Sequence, residues 1–520
     1  MAKRCASSAA QTPTEQQTAH TVFLHTTPQE TILENPVNTP SPLPSTRSAL
    51  AAHFAVSALA LAAAILLVGC ASPGTAHTPL AQTTPSAVGL NAAATDTAAP
   101  SQWWKALGDE QLNSLIDQAL QGNPSLAVSR ARLEQAVALS QVREAANGPQ
   151  ATLGVDATRQ RYTANGLVPA PIAGNTYNSG TVQATLSWSP DFFGQHAAEL
   201  QAALGQARAA QADAAAAANT LAAQVGRSYV ALARLVAQRD VAQRALEQRE
   251  EQRKLTQERT SAGLDSQVEL TQAQAAVPDA RTQIEALEEQ ITLGRRQLAV
   301  LTGQAPDALP QLTPRLTALQ PTAVPEVLGA DLLGRRPDVV AARWRVEAAT
   351  QGVNSARSEF YPNINIGAFI GLNSLGLDRL FNGSSRQMGV TPALRLPIFD
   401  GGRLRAQLGG RAAELDVAIA QYNGAVLDAV KEAGDAVASI QSLTRQQALQ
   451  DEAVASAEKA YRFAQERYRA GLGNYLVVLS TESQVLAQRR LAVDLRARQL
   501  DTRLVLMKAL GGGWTDDTAV

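Results

Sequence analysis

The chain carries one unit twice, and a duplicated unit restricts the fold to architectures that use two similar halves. Asn123-Pro124-Ser125-Leu126-Ala127-Val128-Ser129-Arg130-Ala131-Arg132-Leu133-Glu134 returns as Arg336-Pro337-Asp338-Val339-Val340-Ala341-Ala342-Arg343-Trp344-Arg345-Val346-Glu347. Each copy then reaches a proline at the same spacing, Pro149 and Pro362. Further on, Ser261-Ala262-Gly263-Leu264 answers Arg469-Ala470-Gly471-Leu472 inside two long polar-apolar runs. The order helix, strand pair, very long helix pair is therefore predicted at 101–305 and again at 336–514. A Pro-rich inter-repeat segment at 306–335 joins them, and 515–520 forms a C-terminal tail.

The strand pairs show the period of two that sends alternate side chains to opposite faces. Leu153, Val155 and Ala157 alternate with polar residues or glycine after Pro149, and Val182, Ala184, Leu186 and Trp188 do the same in the partner. Ile364, Ile366, Ala368, Ile370 and Leu372 alternate after Pro362, followed by Met388, Val390, Leu394 and Leu396. Each run is about ten residues, the length a tilted strand needs to cross a bilayer. Loops rich in Gly, Asn and Ser are expected at 163–180 and 373–386. Trp188, Phe192, Phe193, Phe360, Tyr361 and Phe399 gather at the strand ends, where the interfacial girdle of a membrane barrel lies. A soluble antiparallel sheet packed on helices would alternate in the same way.

The helical arms are long. Between 191 and 305 the only proline is Pro278, and from 401 onward there is none. Leu415, Ile419, Tyr422, Val426, Val430, Ala433, Val437 and Ile440 recur in steps of three and four, as do Leu221, Val225, Tyr229, Leu232 and Val236. Such a narrow stripe expects neighbouring helices. Each arm breaks once, at Gly263 and at Gly471 to Gly473, and so forms an antiparallel hairpin. Rods of about sixty residues would be roughly 90 Å long. With only 4% aromatic residues there is little for a thick core. Four strands cannot close a barrel alone, and open edges are not tolerated in lipid, so several chains must share one barrel that the helices extend as a tube.

Residues 1–50 are rich in Thr, Pro, Gln and Ser and have no apolar period. Arg47 then precedes an apolar run from Ala51 to Val68 that ends in Leu67-Val68-Gly69-Cys70. A charge, a short apolar helix and small residues abutting a cysteine form a lipoprotein signal, so 1–69 reads as a disordered extension plus signal peptide and Cys70 as the lipidation site. A membrane-spanning anchor with an incidental cysteine is the weaker reading of so Ala-heavy a run. Residues 70–100 follow as a lipidated flexible tether. Cys5 lies in the leader, so the mature chain keeps no disulfide, and only His77 and His196 remain as histidines. Ala71 in place of Asp sends the lipoprotein outward in bacteria that retain it with Asp.

Taken in order, these features resemble the TolC-type outer-membrane efflux channel family, specifically its lipoprotein branch, the NodT-type or OprM-like factors. The lipobox at Cys70, Trp103-Trp104-Lys105 with Leu112 and Leu115, the repeated Asn/Arg-Pro segments, Pro397-Ile398-Phe399-Asp400-Gly401-Gly402-Arg403 and Gln465-Glu466-Arg467-Tyr468 carry the resemblance across 101–514. It implies an α+β membrane protein: a homotrimer with four strands per chain in a twelve-stranded outer-membrane barrel, continued by a long antiparallel α-helical barrel. It implies a passive exit duct in a Gram-negative outer membrane, with a long periplasmic portion. The expected partners are outer-membrane lipid, a periplasmic membrane-fusion adaptor and an inner-membrane pump of the resistance-nodulation type. The expected cargo is drugs or other small toxic compounds. In the family the periplasmic end closes by inward-curled hairpins, often with a ring of acidic residues. Here the tips are Gly263-Leu264 and Gly471-Leu472, and Tyr468 matches a family tyrosine near the gate. Ser480 stands where many members have aspartate, so Asp265, Glu269 or Glu482 would have to supply the negative charge; for each, a solvated helix-end charge is the plainer alternative.

Other classes fit less. The near-balance of 45 Lys+Arg and 46 Asp+Glu excludes a nucleic-acid-coating surface. No Gly-rich phosphate loop follows a strand, no His/Cys spacing suits a metal, and no Ser/His/Asp set stands out, so neither an enzyme nor a cofactor beyond the Cys70 lipid is expected. An exit duct for type I peptide or protein secretion is the alternative transport role. A periplasmic coiled-coil lipoprotein would leave the strands without purpose.

Overall fold

The computed structural model describes residues 72–75, 77–90, 100–320, 329 and 332–515. The leader and Cys70 lie outside the described residues. After a 3-10 turn at Trp103–Leu107 come α1 (Glu110–Gly122), α2 (Pro124–Ala146), β1 (Gln150–Arg161), β2 (Thr176–Trp188), α3 (Gln195–Ser261) and α4 (Gln267–Leu301). Then follow α5 (Leu332–Arg335), α6 (Pro337–Ser358), β3 (Asn363–Leu375), β4 (Arg386–Arg395), α7 (Arg403–Arg469) and α8 (Tyr475–Ala509). The matched rods have equal lengths, 67 residues in α3 and α7 and 35 in α4 and α8. Sixty-seven helical residues extend about 100 Å.

Local chemistry sets the element ends. Pro124 and Pro337 open α2 and α6, where a missing N–H costs nothing. Asp109 and Asn123 cap α1 and α2 by accepting amides of the first turn. Along α3, Leu221, Val225, Tyr229, Leu232 and Val236 are buried, and along α7 so are Leu415, Ile419, Val426, Ala433 and Ile440. Near the sheet the packing order is α2, α3, α6, α7; further away it is α4, α3, α8, α7. α3 and α7 thus run through both levels, and α7 stands at one end of each row.

The four strands form one antiparallel sheet in chain order, β1-β2-β3-β4. Its two outer strands each have one partner among the described residues. The strands outrun the sequence expectation: the β1–β2 ladder continues to Arg161 opposite Thr176, and β3 runs to Leu375, so the first loop is 162–175 rather than 163–180. Residues 176–179 are polar and at least partly exposed, yet Thr176 and Tyr177 favour strand and pair fully.

Register places most of the apolar residues on one face. Leu153 lies opposite Ala184, Ala184 opposite Ile370, and Ile370 opposite Met388. Leu153, Val155, Ile370, Met388 and Val390 are each at least 62% exposed, a belt that water would not tolerate over a whole sheet. The other face is a polar ladder in which Thr152 bonds Thr185 at 2.6 Å, Asn373 donates to Thr181 at 2.9 Å and Gln387 donates to Gln183 at 2.8 Å. Gly371 is required here, because a Cβ would lie 2.7 Å from the Gln183 backbone. Phe369 breaks the polar face and lies over Gly389, where a Cβ would meet its ring at 2.7 Å.

The main core gathers where rods and short helices meet: Trp103, Leu107, Leu112 and Ile116 pack with Tyr229, Leu232, Leu500 and Leu504. Leu312, Leu316 and Leu319 join it, so the described part of the inter-repeat segment belongs to the core and does more than connect. The expectation of a flexible tether at 70–100 also needs correction. Leu90 is buried in the same core, and 77–83 are hydrogen-bonded to α7, because Asp416 and Asn423 offer partners to backbone that polarity alone marked as free.

Candidate functional site

Two regions carry the features a duct needs, the sheet rim and the hairpin tips. At the rim, Trp188 is 40% exposed and donates its indole N–H to the Asn147 carbonyl at 3.2 Å. Phe193 stacks on Tyr361 with centroids 5.1 Å apart, and both, with Phe192 and Phe399, line a cavity of about 480 Å³. Phe399 is 90% exposed. Phe360 does not belong to this rim. It is buried, because the turn closing α6 directs it inward while its neighbour Tyr361 faces out.

The two tips share one geometry. α3 ends at Ser261, Gly263 turns the chain at φ 74°, and the Leu264 amide returns to the Arg259 carbonyl at 2.9 Å. α7 ends at Arg469, Gly471 turns at φ 76°, and the Leu472 amide returns to the Arg467 carbonyl at 2.8 Å. A left-handed glycine with this return bond is the helix-stop motif that only glycine enters cheaply. Leu264 and Leu472 project outward, both largely exposed. α4 starts with a capping box in which Ser266 and Glu269 bond each other's backbone, and the bond from Ser266 holds the Glu269 carboxyl below its ordinary range. On α8, Asn474 caps through the Val477 amide at 3.1 Å, and exposed Ser480 donates to the Val477 carbonyl.

Between the tips lies a lock joining the two hairpins. The Tyr468 hydroxyl of α7 donates to Asp265 at the first tip and lies 3.2 Å from Thr256 Oγ1 of α3. Arg259 grips the same carboxylate with two bonds, Nε at 2.9 Å and Nη2 at 3.2 Å, and its guanidinium lies 4.6 Å from the Tyr468 ring centre. Tyr468 is fully buried, so burial and the bond to Asp265 push its phenol up. Burial opposes ionisation of Asp265, but the bonds from Arg259 and Tyr468 outweigh it and hold the carboxyl below its ordinary range. Asp265 is therefore a paired lock residue and not a free charge offered to a pore.

Glu482 is corrected in the same way. It lies buried behind the tip, where Arg249 Nε donates to it at 3.1 Å. Arg249 Nη1 also donates to the Ala276 carbonyl at 3.1 Å and to Asp279 at 3.3 Å, so one guanidinium ties α3, α4 and α8. Burial pushes the Glu482 carboxyl up, and Arg249 offsets this only in part. Of the acidic candidates, Glu269 alone has a carboxylate that is neither buried nor gripped by an arginine among the described residues. Arg249, Arg259 and Thr256 escaped the sequence reading; both arginines sit in arms crowded with arginine, and nothing but their three-dimensional pairing marks them. Among the described residues no group of His, Cys, Asp or Glu is placed to hold a metal, and no helix is long and apolar enough to cross a membrane.

A sheet with one apolar and one polar face, continued by rods that lock at their far tips, defines a channel-type membrane protein and not an enzyme. The sequence model of the outer membrane efflux protein family matches residues 115–304 and 328–512, and the chain belongs to that family. It is 34% identical to the multidrug resistance outer membrane protein MdtP of Escherichia coli over 423 residues, 80% of this chain and 86% of MdtP. Its fold is similar to the outer membrane protein VceC from Vibrio cholerae, with TM-score 0.75, 34% identity and coverage of 79% of this chain and 99% of VceC. The outer-membrane channel OprN is likewise similar, with TM-score 0.74, 26% identity and coverage of 85% and 98%.

Proposed function

We propose that three copies of this chain close one twelve-stranded barrel through their β1 and β4 edges and extend it as a helical tube on the periplasmic side. Through this duct pass drugs or other small toxic compounds, delivered by an inner-membrane pump of the resistance-nodulation type across a periplasmic adaptor. The observation that carries the reading is the sheet: one apolar face, one largely polar face and two edges that have no partner strand among the described residues. Lipid admits no open edge, so the edges call for further copies. The relative named for multidrug resistance supports drugs as cargo.

In this reading Cys70 carries the lipid anchor, no side chain acts as a catalyst, and no cofactor is needed. The Tyr468–Asp265–Arg259 lock holds the periplasmic end closed until a partner separates the hairpins. Deleting the gene and testing a drug and metal panel decides the cargo. Lowered resistance restored by the intact gene is expected. Unchanged resistance, together with loss of a secreted peptide from the medium, would instead establish the secretion role.

A further inference from the structure

The apolar face of the sheet changes character at the end away from the helices. On β1, Arg159 and Arg161 have the parity of Leu153, Val155 and Ala157, and the β1–β2 ladder keeps its register to Arg161, so both arginines stand on the apolar face. On β4, Arg386 has the parity of Met388 and Val390 and shares their face. All three are exposed, and none makes an ion pair or a side-chain hydrogen bond among the described residues. The nearby acids do not neutralise them. Asp156 has the opposite parity and belongs to the polar face, and Asp378 lies 3.6 Å from Arg379. The loop at 162–175 carries no charged residue.

These arginines lie where the apolar band of a membrane barrel ends. Arg159 pairs with Asn178, which is ten residues along β2 from Trp188, the aromatic at the other rim. Ten residues of strand extend about 33 Å. Tilted by about 40°, that run rises about 25 Å, the height of the apolar band in outer-membrane barrels. Trp188 and Arg159 thus mark its two borders, and Arg161 lies beyond the second. A charge facing lipid is costly at the midplane but not at the border, and a long side chain such as that of Arg386 carries its head outward from within the band. A guanidinium at this level meets lipid headgroups, and phosphate is the headgroup chemistry it binds through paired, charge-assisted hydrogen bonds. In a barrel of three copies β1 of one copy adjoins β4 of the next, which brings Arg159, Arg161 and Arg386 to the same seam.

We propose that Arg159, Arg161 and Arg386 bind the phosphate groups of glycolipid in the outer leaflet, at the seam between copies. This inference rests on the reading that the sheet spans the outer membrane with its helices on the periplasmic side, and the test separates the two. Asn165→Cys places a thiol in the exposed loop at the far end; a membrane-impermeant maleimide is expected to label it in intact cells. Absence of labelling there would overturn the orientation and the glycolipid assignment together. With the orientation established, binding is measured on full-length protein extracted from outer membranes and stripped of lipid. The probes are lipid A carrying two phosphates and the same glycolipid with both removed. Each basic residue near an anionic lipid surface contributes roughly a fivefold factor, so wild type is expected to prefer the phosphorylated probe by on the order of a hundredfold. Arg159→Gln with Arg161→Gln and Arg386→Gln is expected to abolish that preference while binding the dephosphorylated probe as wild type does. Inorganic phosphate, added at constant ionic strength, is expected to leave the preference in place. Equal binding of the two probes by wild type would mean that the arginines are only solvated strand-end charges. A preference that survives in the triple variant would place the phosphate elsewhere, and one erased by inorganic phosphate would mean a site for free anions; each of these results overturns the proposal.

Discussion

Tyr468→Phe removes one hydroxyl from the lock and leaves everything else in place. The ring stays buried, and its contact with the Arg259 guanidinium, 4.6 Å from the ring centre, is retained. What is lost is the bond from the phenol to Asp265 and the contact with Thr256 at 3.2 Å. A hydrogen bond to a charged group contributes about 1.5–3 kcal/mol. Each lock would therefore weaken by a factor of roughly 10 to 150. If three copies must open together and act independently, the bias toward the closed state falls by roughly 4.5–9 kcal/mol. Planar-bilayer recording without adaptor or pump is the assay, with wild type expected to be mostly closed and Tyr468→Phe to show a larger open fraction at the same thermal stability of the trimer. Acid gives a second handle. Asp265 is held below its ordinary range, so the stability it contributes is present above about pH 4, the ordinary carboxylate value, and is lost as pH falls through its depressed value. Wild type should therefore open more readily below that pH. Unchanged conductance in Tyr468→Phe, with the fold intact, would refute the assignment of the lock as the gate.

The Arg249–Glu482 pair should respond asymmetrically to substitution. Arg249→Ala strands a buried carboxylate and is expected to cost about 3–5 kcal/mol at neutral pH, whereas Glu482→Gln leaves Arg249 bonded to Ala276 and Asp279 and should cost much less. Glu482 has a raised pKa, so its protonated form is favoured in the fold; that contribution is full in acid and lost as pH rises through the raised value. Thermal melts of Arg249→Ala should accordingly improve on acidification, and a melt independent of pH would count against burial as the cause. Glu269→Gln preserves a side chain able to accept the Ser266 amide while removing the carboxylate of the one acidic candidate that no arginine pairs with among the described residues. Cation preference of the open channel is expected to fall without loss of stability; unchanged selectivity would remove Glu269 from the pore lining.

The strands were legible because alternation survives wherever one face meets an apolar medium. Leu153, Val155, Ile370 and Met388 alternate in the sequence and share a face in the sheet. Their ends were misjudged where Thr176 to Gly180 turn polar but continue to pair. The rods and tips were legible from glycine and proline placement, since Gly263 and Gly471 do take the left-handed turn. The state of the tip charges was not. Asp265 and Tyr468 are 203 residues apart, Arg249 and Glu482 233, and no local pattern announces which guanidinium will neutralise which carboxylate. Phe360 and Tyr361 are adjacent aromatics at a helix end, and only the packed turn decides that one is buried and the other exposed. The strap at 77–83 was read as free for a related reason: its partners are Asp416 and Asn423, polar residues of a rod more than three hundred positions away.

Closure of the sheet between copies is the central claim, and cross-linking across its free edges tests it most directly. Val155→Cys on β1 and Val390→Cys on β4 place thiols on the two outer strands, both on the exposed apolar face. In outer-membrane vesicles treated with a short bis-maleimide, the double variant is expected to give a ladder of dimer and trimer that stops at the trimer, and each single variant is expected to remain monomeric. A chain that stays monomeric in the double variant, or a ladder that runs past three, would contradict a barrel closed by three copies.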